Sequence, residues 1–215
     1  MIKNLIFDWG GVLSVSQHDE AVRRFAAMGV PHPETYFVEG KNWGGIFGEV
    51  EDGAISIDDF LTQVSDLCGK PISFEQVAYA WWGFFSHLAP GILKQLEKWK
   101  SEGFYLYMLT NNNPFMMSYI RSDDFSPDGK PFHAYFDKLY VSCDIGLSKP
   151  DPAIYQYVLD DKGMVASETV FVDDRRQNLV GAEQVGMKTF FVEDSEHWTD
   201  DLCGYIESQN ISGSF

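Results

Sequence analysis

Apolar residues run together at Leu5-Ile6-Phe7, stop at Asp8, and give way to Trp9 and the pair Gly10-Gly11. A short apolar run closed by a polar residue and two glycines reads as a buried strand entering a tight loop. The same kind of run returns at Phe104 to Leu109, Lys138 to Ser142, Thr169 to Val172 and Lys188 to Val192. Helical spacing fills the gaps between these runs. A helix is predicted from Pro90 to about Ser101, a short one from Pro114, one capped by Asp151-Pro152 and ending near Gly163, one from about Arg176 to Val185, and a last one from Thr199.

The stretch between the first and second strands behaves differently. Ser16 with Asp19, Ser56 with Asp59 and Ser73 with Gln76 each have the three-residue spacing of a helix start. Behind each start, apolar residues recur at helical spacing, as in Val77, Ala80, Trp81, Phe84, Phe85 and Leu88. The segment Gly40 to Gly48 is glycine-rich but has no strand before it, so it reads as a loop or bent helix and not as a nucleotide fingerprint. Residues 16–88 are therefore expected to form an all-helical unit with no strand. The expected fold class is α/β: a parallel sheet of five or more strands sandwiched by helices, Rossmann-like, with that helical unit inserted. The domains are a discontinuous core, 1–15 and 89–215, and the insertion, 16–88.

Composition narrows the partners. The 215 residues include 32 acidic and 16 basic side chains, for a net charge of −16. Such a chain is a poor match for nucleic acid or an anionic membrane. Cys68, Cys143 and Cys203 are scattered, and no pair has zinc or disulfide spacing. Met1 leads directly into the first strand, and no apolar run is long enough to span a bilayer, so a cytoplasmic protein is expected. Asn210-Ile211-Ser212 has the form of a glycosylation acceptor and is read as chance.

Four strands end in distinctive polar residues: Asp8, Thr110-Asn111-Asn112-Asn113, the connection carrying Lys149-Pro150-Asp151-Pro152, and Asp173-Asp174. Singly, each has a bland reading: an Asn-rich turn, a solvated lysine, a helix-capping aspartate. Together they lie at the C-terminal ends of parallel strands, where open α/β sheets bind ligands. Clustered carboxylates repel unless a cation joins them. An all-oxygen donor set without His or Cys suits Mg²⁺, which in turn lets an anionic carboxylate attack a phosphoryl group.

Asp8-x-x-Gly11-Val12, Thr110-Asn111, Lys149-Pro150 and Asp173-Asp174 resemble, in order and placement, the four motifs of the haloacid dehalogenase superfamily. The insertion resembles its helical cap. Glu51-Asp52-Gly53-Ala54-Ile55-Ser56 with Phe60 resembles caps of the branch that opens with Phe-Asp-Leu-Gly and includes α-D-glucose-1-phosphate phosphatase. The resemblance implies that Asp8 is a nucleophile forming an aspartyl-phosphate and that Lys149 stabilises the charge. It implies phosphoryl binding by Thr110, the Asn111 N–H and the Gly10-Gly11 loop, and Mg²⁺ binding by Asp8, the Gly10 carbonyl and Asp173 or Asp174. The implied enzyme is a Mg²⁺-dependent phosphatase of a small phosphorylated metabolite, a sugar phosphate by expectation, working as a monomer or homodimer.

One position departs from that pattern. Most phosphatases of the superfamily carry a second aspartate two residues after the nucleophile, as acid and base; here it is Gly10. That leaves two alternatives: a 2-haloacid dehalogenase-type hydrolase, or a degenerate member that binds without turnover. His18 and Glu51 are candidate substitutes for the missing acid. Trp43, Trp81 and Trp82 read as cap core, with one of them a candidate platform for a sugar. Hinges are expected near Leu13 to Gln17 and His87 to Gly91.

Overall fold

The computed structural model describes residues 1–38 and 43–212. In chain order the elements are β1 (Asn4–Phe7), β2 (Ser14–Ser16), α1 (Asp19–Met28), α2 (Gly45–Glu51), α3 (Ile57–Cys68), α4 (Phe74–Trp81), β3 (Phe85–Leu88), α5 (Ile92–Ser101), β4 (Tyr105–Thr110), α6 (Pro114–Ile120), β5 (Lys138–Val141), α7 (Ser142–Ile145), α8 (Pro152–Lys162), β6 (Thr169–Asp173), α9 (Arg176–Gln184), β7 (Lys188–Phe191) and α10 (Thr199–Ser212). Five strands form one sheet in the order β5-β4-β1-β6-β7, and every pairing in it is parallel. Parallel strands require crossovers, and the helices supply them.

The sheet is buried on both faces, as its continuous apolar strands require. Leu5 and Phe7 point to one side and pack with Leu96, Trp99 and Leu202 of α5 and α10. Ile6 points to the other and packs with Ile154, Tyr155 and Leu179 of α8 and α9. The Phe7 and Trp99 rings stack with centroids 5.3 Å apart. All four residues of β1 are buried.

The insertion is held by aromatic packing. Phe25, Phe37, Phe47, Phe60 and Trp81 are each fully buried and meet edge to face or tilted. This cluster does not stop at the insertion. Phe115 of α6 stacks on Trp81 at 5.6 Å and touches Phe60 at 5.1 Å, so insertion and core share one apolar cluster. Ser56 and Ser73 cap α3 and α4, the latter through a reciprocal box with Gln76.

Three expectations are corrected. The stretch 16–88 is not free of strands: β2 and β3 pair antiparallel where the chain leaves and re-enters the core. These strands are three and four residues long, too short for alternation to register, and the apolar Phe85 and Leu88 also fit the preceding helical spacing. Ser16 is not a helix cap, because it lies in β2 and His18 precedes α1 without a side-chain cap bond. Pro90 does not open α5; Gly91, at φ 72°, precedes the helix, which starts at Ile92. Of the glycine-rich segment, Gly40, Lys41 and Asn42 lie outside the described residues, and Gly45 onward is helical.

Candidate active site

Register brings the site together. Phe7 sits beside Met108 on one side and Val172 on the other. One residue farther along, Asp8 and Asp173 therefore stand on adjacent strands, and the Asp8 N–H still donates to the Val172 carbonyl at 3.0 Å. Two residues beyond Met108 lies Thr110, buried at the end of β4.

Lys149 joins the two acids. Its side chain is 1% exposed, and Nζ lies 2.9 Å from Asp8 Oδ1 and 2.8 Å from Asp173 Oδ2. Burial alone would depress the ammonium, but Asp173 and Asp8 outweigh it and hold it above its ordinary value. Asp8 shows the opposite imbalance. Burial pushes its carboxyl up to about 7, with Asp173 and Asp174 adding to the rise and Lys149 opposing it. Asp174 is raised for the same reasons, burial first and Asp173 second. One lysine does not neutralise three carboxylates. Oxygen atoms of Asp8, Asp173 and Asp174 come within 4.8 Å of one another, a donor set of the hard, all-oxygen kind that fits Mg²⁺.

The two acids of the pair have different work. Both oxygens of Asp173 are engaged: Oδ1 accepts from the Arg175 N–H at 2.8 Å and from Asn178 at 3.0 Å, and Oδ2 accepts from Lys149 and from Asn178 at 3.0 Å. Asp174 lies instead against the opening loop. Gly11 is in the left-handed region at φ +75°, and a Cβ there would fall 2.4 Å from Asp174 Oδ2. Gly11 is thus where a side chain would evict a carboxylate, a role not apparent from its place in the motif. Gly11→Ala is expected to weaken Mg²⁺ binding by about tenfold or more, since displacement and backbone strain act together. Titration calorimetry checks this, and an unchanged Mg²⁺ affinity would place Asp174 elsewhere.

Asn111 also does more than expected. Its side chain accepts from the Lys149 N–H at 2.8 Å and donates to the Lys149 carbonyl at 2.9 Å, clamping the lysine backbone to the end of β4. The backbone of the opening loop is ordered by Ser14, whose N–H donates to Trp9 O and whose carbonyl accepts from the Gly11 N–H. The Trp9 N–H donates to Asp8 Oδ1 at 2.7 Å and helps fix the carboxylate.

These residues open into a cavity of about 630 Å³ between core and insertion. Asp8, Gly10, Gly11, Thr110, Asn111, Lys149 and Asp174 line its floor, and His18, Trp43, Glu51 and Phe84 come from the insertion. Trp81 is buried inside the insertion, whereas Trp43, stacked on Phe84 at 4.9 Å, reaches the cavity. Sequence periodicity cannot tell these two tryptophans apart.

Comparison with known proteins agrees with the geometry. Residues 2–186 match the haloacid dehalogenase-like hydrolase family model. The chain is 37% identical to D-ribitol-5-phosphate phosphatase of Bacteroides thetaiotaomicron over 208 residues, covering 97% of this chain and 100% of that protein. Among solved structures, a predicted HAD-like family hydrolase from Porphyromonas gingivalis superposes with a TM-score of 0.87 at 32% identity, covering 96% of this chain and 98% of that one. A HAD family enzyme from Bacteroides thetaiotaomicron, in complex with magnesium and inorganic phosphate, superposes with a TM-score of 0.81 at 29% identity, covering 92% and 98%. The chain belongs to the haloacid dehalogenase-like hydrolase family.

Proposed function

We propose that the protein is a Mg²⁺-dependent phosphatase of a small phosphorylated sugar or sugar alcohol, acting through an aspartyl-phosphate on Asp8. The observation that carries this reading is the pairing of Lys149 with Asp8 and Asp173 at the floor of a cavity sized for a metabolite. A dehalogenase has no need of Asp174 or of a cation, and this chain keeps the acidic pair. The relative acting on D-ribitol 5-phosphate and the neighbour holding magnesium and phosphate support the same reading.

Asp8, Asp174 and the Gly10 carbonyl would hold Mg²⁺, while Asp173 positions Lys149. The bound cation supplies charge neutralisation for a dianionic phosphoryl group. The chain's own groups do the rest. The Trp9 N–H and Lys149 both hold Asp8 Oδ1, which leaves Oδ2 for attack on phosphorus. Lys149 and the Thr110 hydroxyl meet the phosphoryl oxygens. The cap roofs the cavity and excludes water from the first transfer.

A panel of phosphorylated metabolites including ribitol 5-phosphate, assayed for phosphate release, tests the reading. Release is expected with Mg²⁺, none in excess chelator, and recovery when Mg²⁺ is restored. Turnover undiminished by chelation would remove the metal from the mechanism and favour the dehalogenase type of site.

A further inference from the structure

The phosphatase reading leaves a proton unaccounted for. An alkoxide leaving phosphorus needs one, and Gly10 has no side chain to give it. We propose that Glu51 of the cap protonates the departing oxygen and then accepts a proton from the water that hydrolyses the aspartyl-phosphate; this rests on the phosphatase reading above.

Position is the first support. Glu51 ends α2 and lines the same cavity as Asp8 and Gly10. Three contacts hold its segment over the core. The Glu51 carbonyl accepts from Ser142 Oγ at 2.6 Å, and that same oxygen accepts from the Asn112 N–H at 3.0 Å, two residues from Thr110. Asp52 accepts from Ser148 Oγ at 2.5 Å, next to Lys149. Gly53, at φ +73°, packs so tightly that a Cβ would lie 2.7 Å from the Cys143 carbonyl. The backbone that carries the Glu51 carboxyl is therefore tied to the segments that follow β5 and precede Lys149.

Protonation is the second support. Burial raises the Glu51 carboxyl to about 8, with Asp52 and Asp8 adding to the rise and Arg175 and Lys149 opposing it. A carboxyl in that range carries a proton at neutral pH and can both give and take one. The rival is His18, which also lines the cavity. Its Nε2 is bonded to the Phe37 carbonyl, which only accepts, so the proton on that nitrogen is committed there.

The steps balance. An Asp8 oxygen bonds to phosphorus, the bond from phosphorus to the leaving oxygen breaks, and the Glu51 proton goes to that oxygen, releasing an alcohol. Water then attacks phosphorus and loses a proton to Glu51, the bond to Asp8 breaks, and phosphate leaves with Asp8 again a carboxylate.

The test uses kcat/KM, which reports the first transfer, for two substrates with Mg²⁺ present. Nitrophenolate leaves without a proton, whereas the ribitol alkoxide needs one. Glu51→Gln is expected to lower kcat/KM for ribitol 5-phosphate by about 10²–10⁴-fold, and to lower that for 4-nitrophenyl phosphate at least about tenfold less. Adding Gly10→Asp to Glu51→Gln should recover much of the loss. The backbone permits a side chain at this position, since Gly10 is outside the left-handed region and a Cβ there meets only the Ser16 hydroxyl, at 3.4 Å. Equal losses on the two substrates, or no loss on ribitol 5-phosphate, would overturn the role of Glu51 alone. A wild type that releases phosphate from neither substrate nor from any member of the metabolite panel would overturn the phosphatase reading and this role with it; where the panel gives a better alkyl phosphate substrate, that one replaces ribitol 5-phosphate in the comparison. If Glu51→Gln does not fold, Glu51→Asp carries the same comparison, its carboxyl being withdrawn by one methylene.

Discussion

Asp8→Asn is expected to lower turnover of every phosphorylated substrate by on the order of 10⁴-fold or more, the scale of losing a nucleophile. The amide is nearly isosteric but cannot form the acyl phosphate. The fold should survive and, in chelator, gain stability. The folded Asp8 carboxyl sits at about 7, raised from 3.8, because ionising it costs burial and repulsion from Asp173 and Asp174. A raised carboxyl destabilises the folded state above the unfolded value, increasingly up to the folded one. Asparagine removes that penalty, and Lys149 keeps its bond to Asp173. Melting curves in chelator at pH 5 and pH 8 should thus show a larger gain for the variant at pH 8. Mg²⁺ should stabilise wild type more than the variant, because one ligand charge is gone. Residual activity within about tenfold of wild type would remove Asp8 from the nucleophile position.

The strand ends were legible in the sequence because each is a local event, an apolar run stopping at a polar residue. Asp8, Thr110, Lys149 and Asp173 could be placed on one sheet edge by the direction of parallel strands alone. What each does there depends on partners far away in the chain. Nothing in Asp173-Asp174 says that the first is saturated by Lys149, Asn178 and the Arg175 N–H while the second leans on Gly11. The clamp from Asn111 to the Lys149 backbone spans 38 residues and leaves no periodic trace. The β2–β3 ribbon pairs segments some seventy positions apart, each too short to show alternation. Trp81 and Trp43 differ only in tertiary surroundings, one stacked against Phe115 of α6 and the other lining the cavity. Motif placement survives without long-range information; division of labour among neighbouring acids does not.

Lys149→Met separates the chemical and structural duties of the lysine. The thioether follows the course of the side chain beside the Phe171 ring, where Nζ now lies 5.3 Å from the centroid, but it carries no charge. Asp8, Asp173 and Asp174, within 4.8 Å of one another, then lose the ammonium that Asp8 and Asp173 share, and Arg175, which bears on Asp174, remains. Removing one partner of a buried ionic cluster typically costs about 3–5 kcal/mol, because the charges left behind are uncompensated. That cost is specific in two ways. It should shrink as pH falls, since the Asp8 and Asp174 carboxyls, already raised by burial, rise further without the lysine and become neutral sooner. It should also shrink when Mg²⁺ is added, since a divalent ion on Asp8 and Asp174 replaces much of the missing positive charge. Activity should not follow stability. Mg²⁺ restores the fold, but the phosphoryl oxygens and Asp8 have still lost the ammonium that held them, so turnover should remain about 10³-fold below wild type at saturating Mg²⁺. Thermal melts at pH 5.5 and 8, each with and without Mg²⁺, together with a phosphate-release assay, measure both halves. A stability loss that is the same under all four conditions would mean that Lys149 acts through packing, and the account of one lysine balancing three acids would fail.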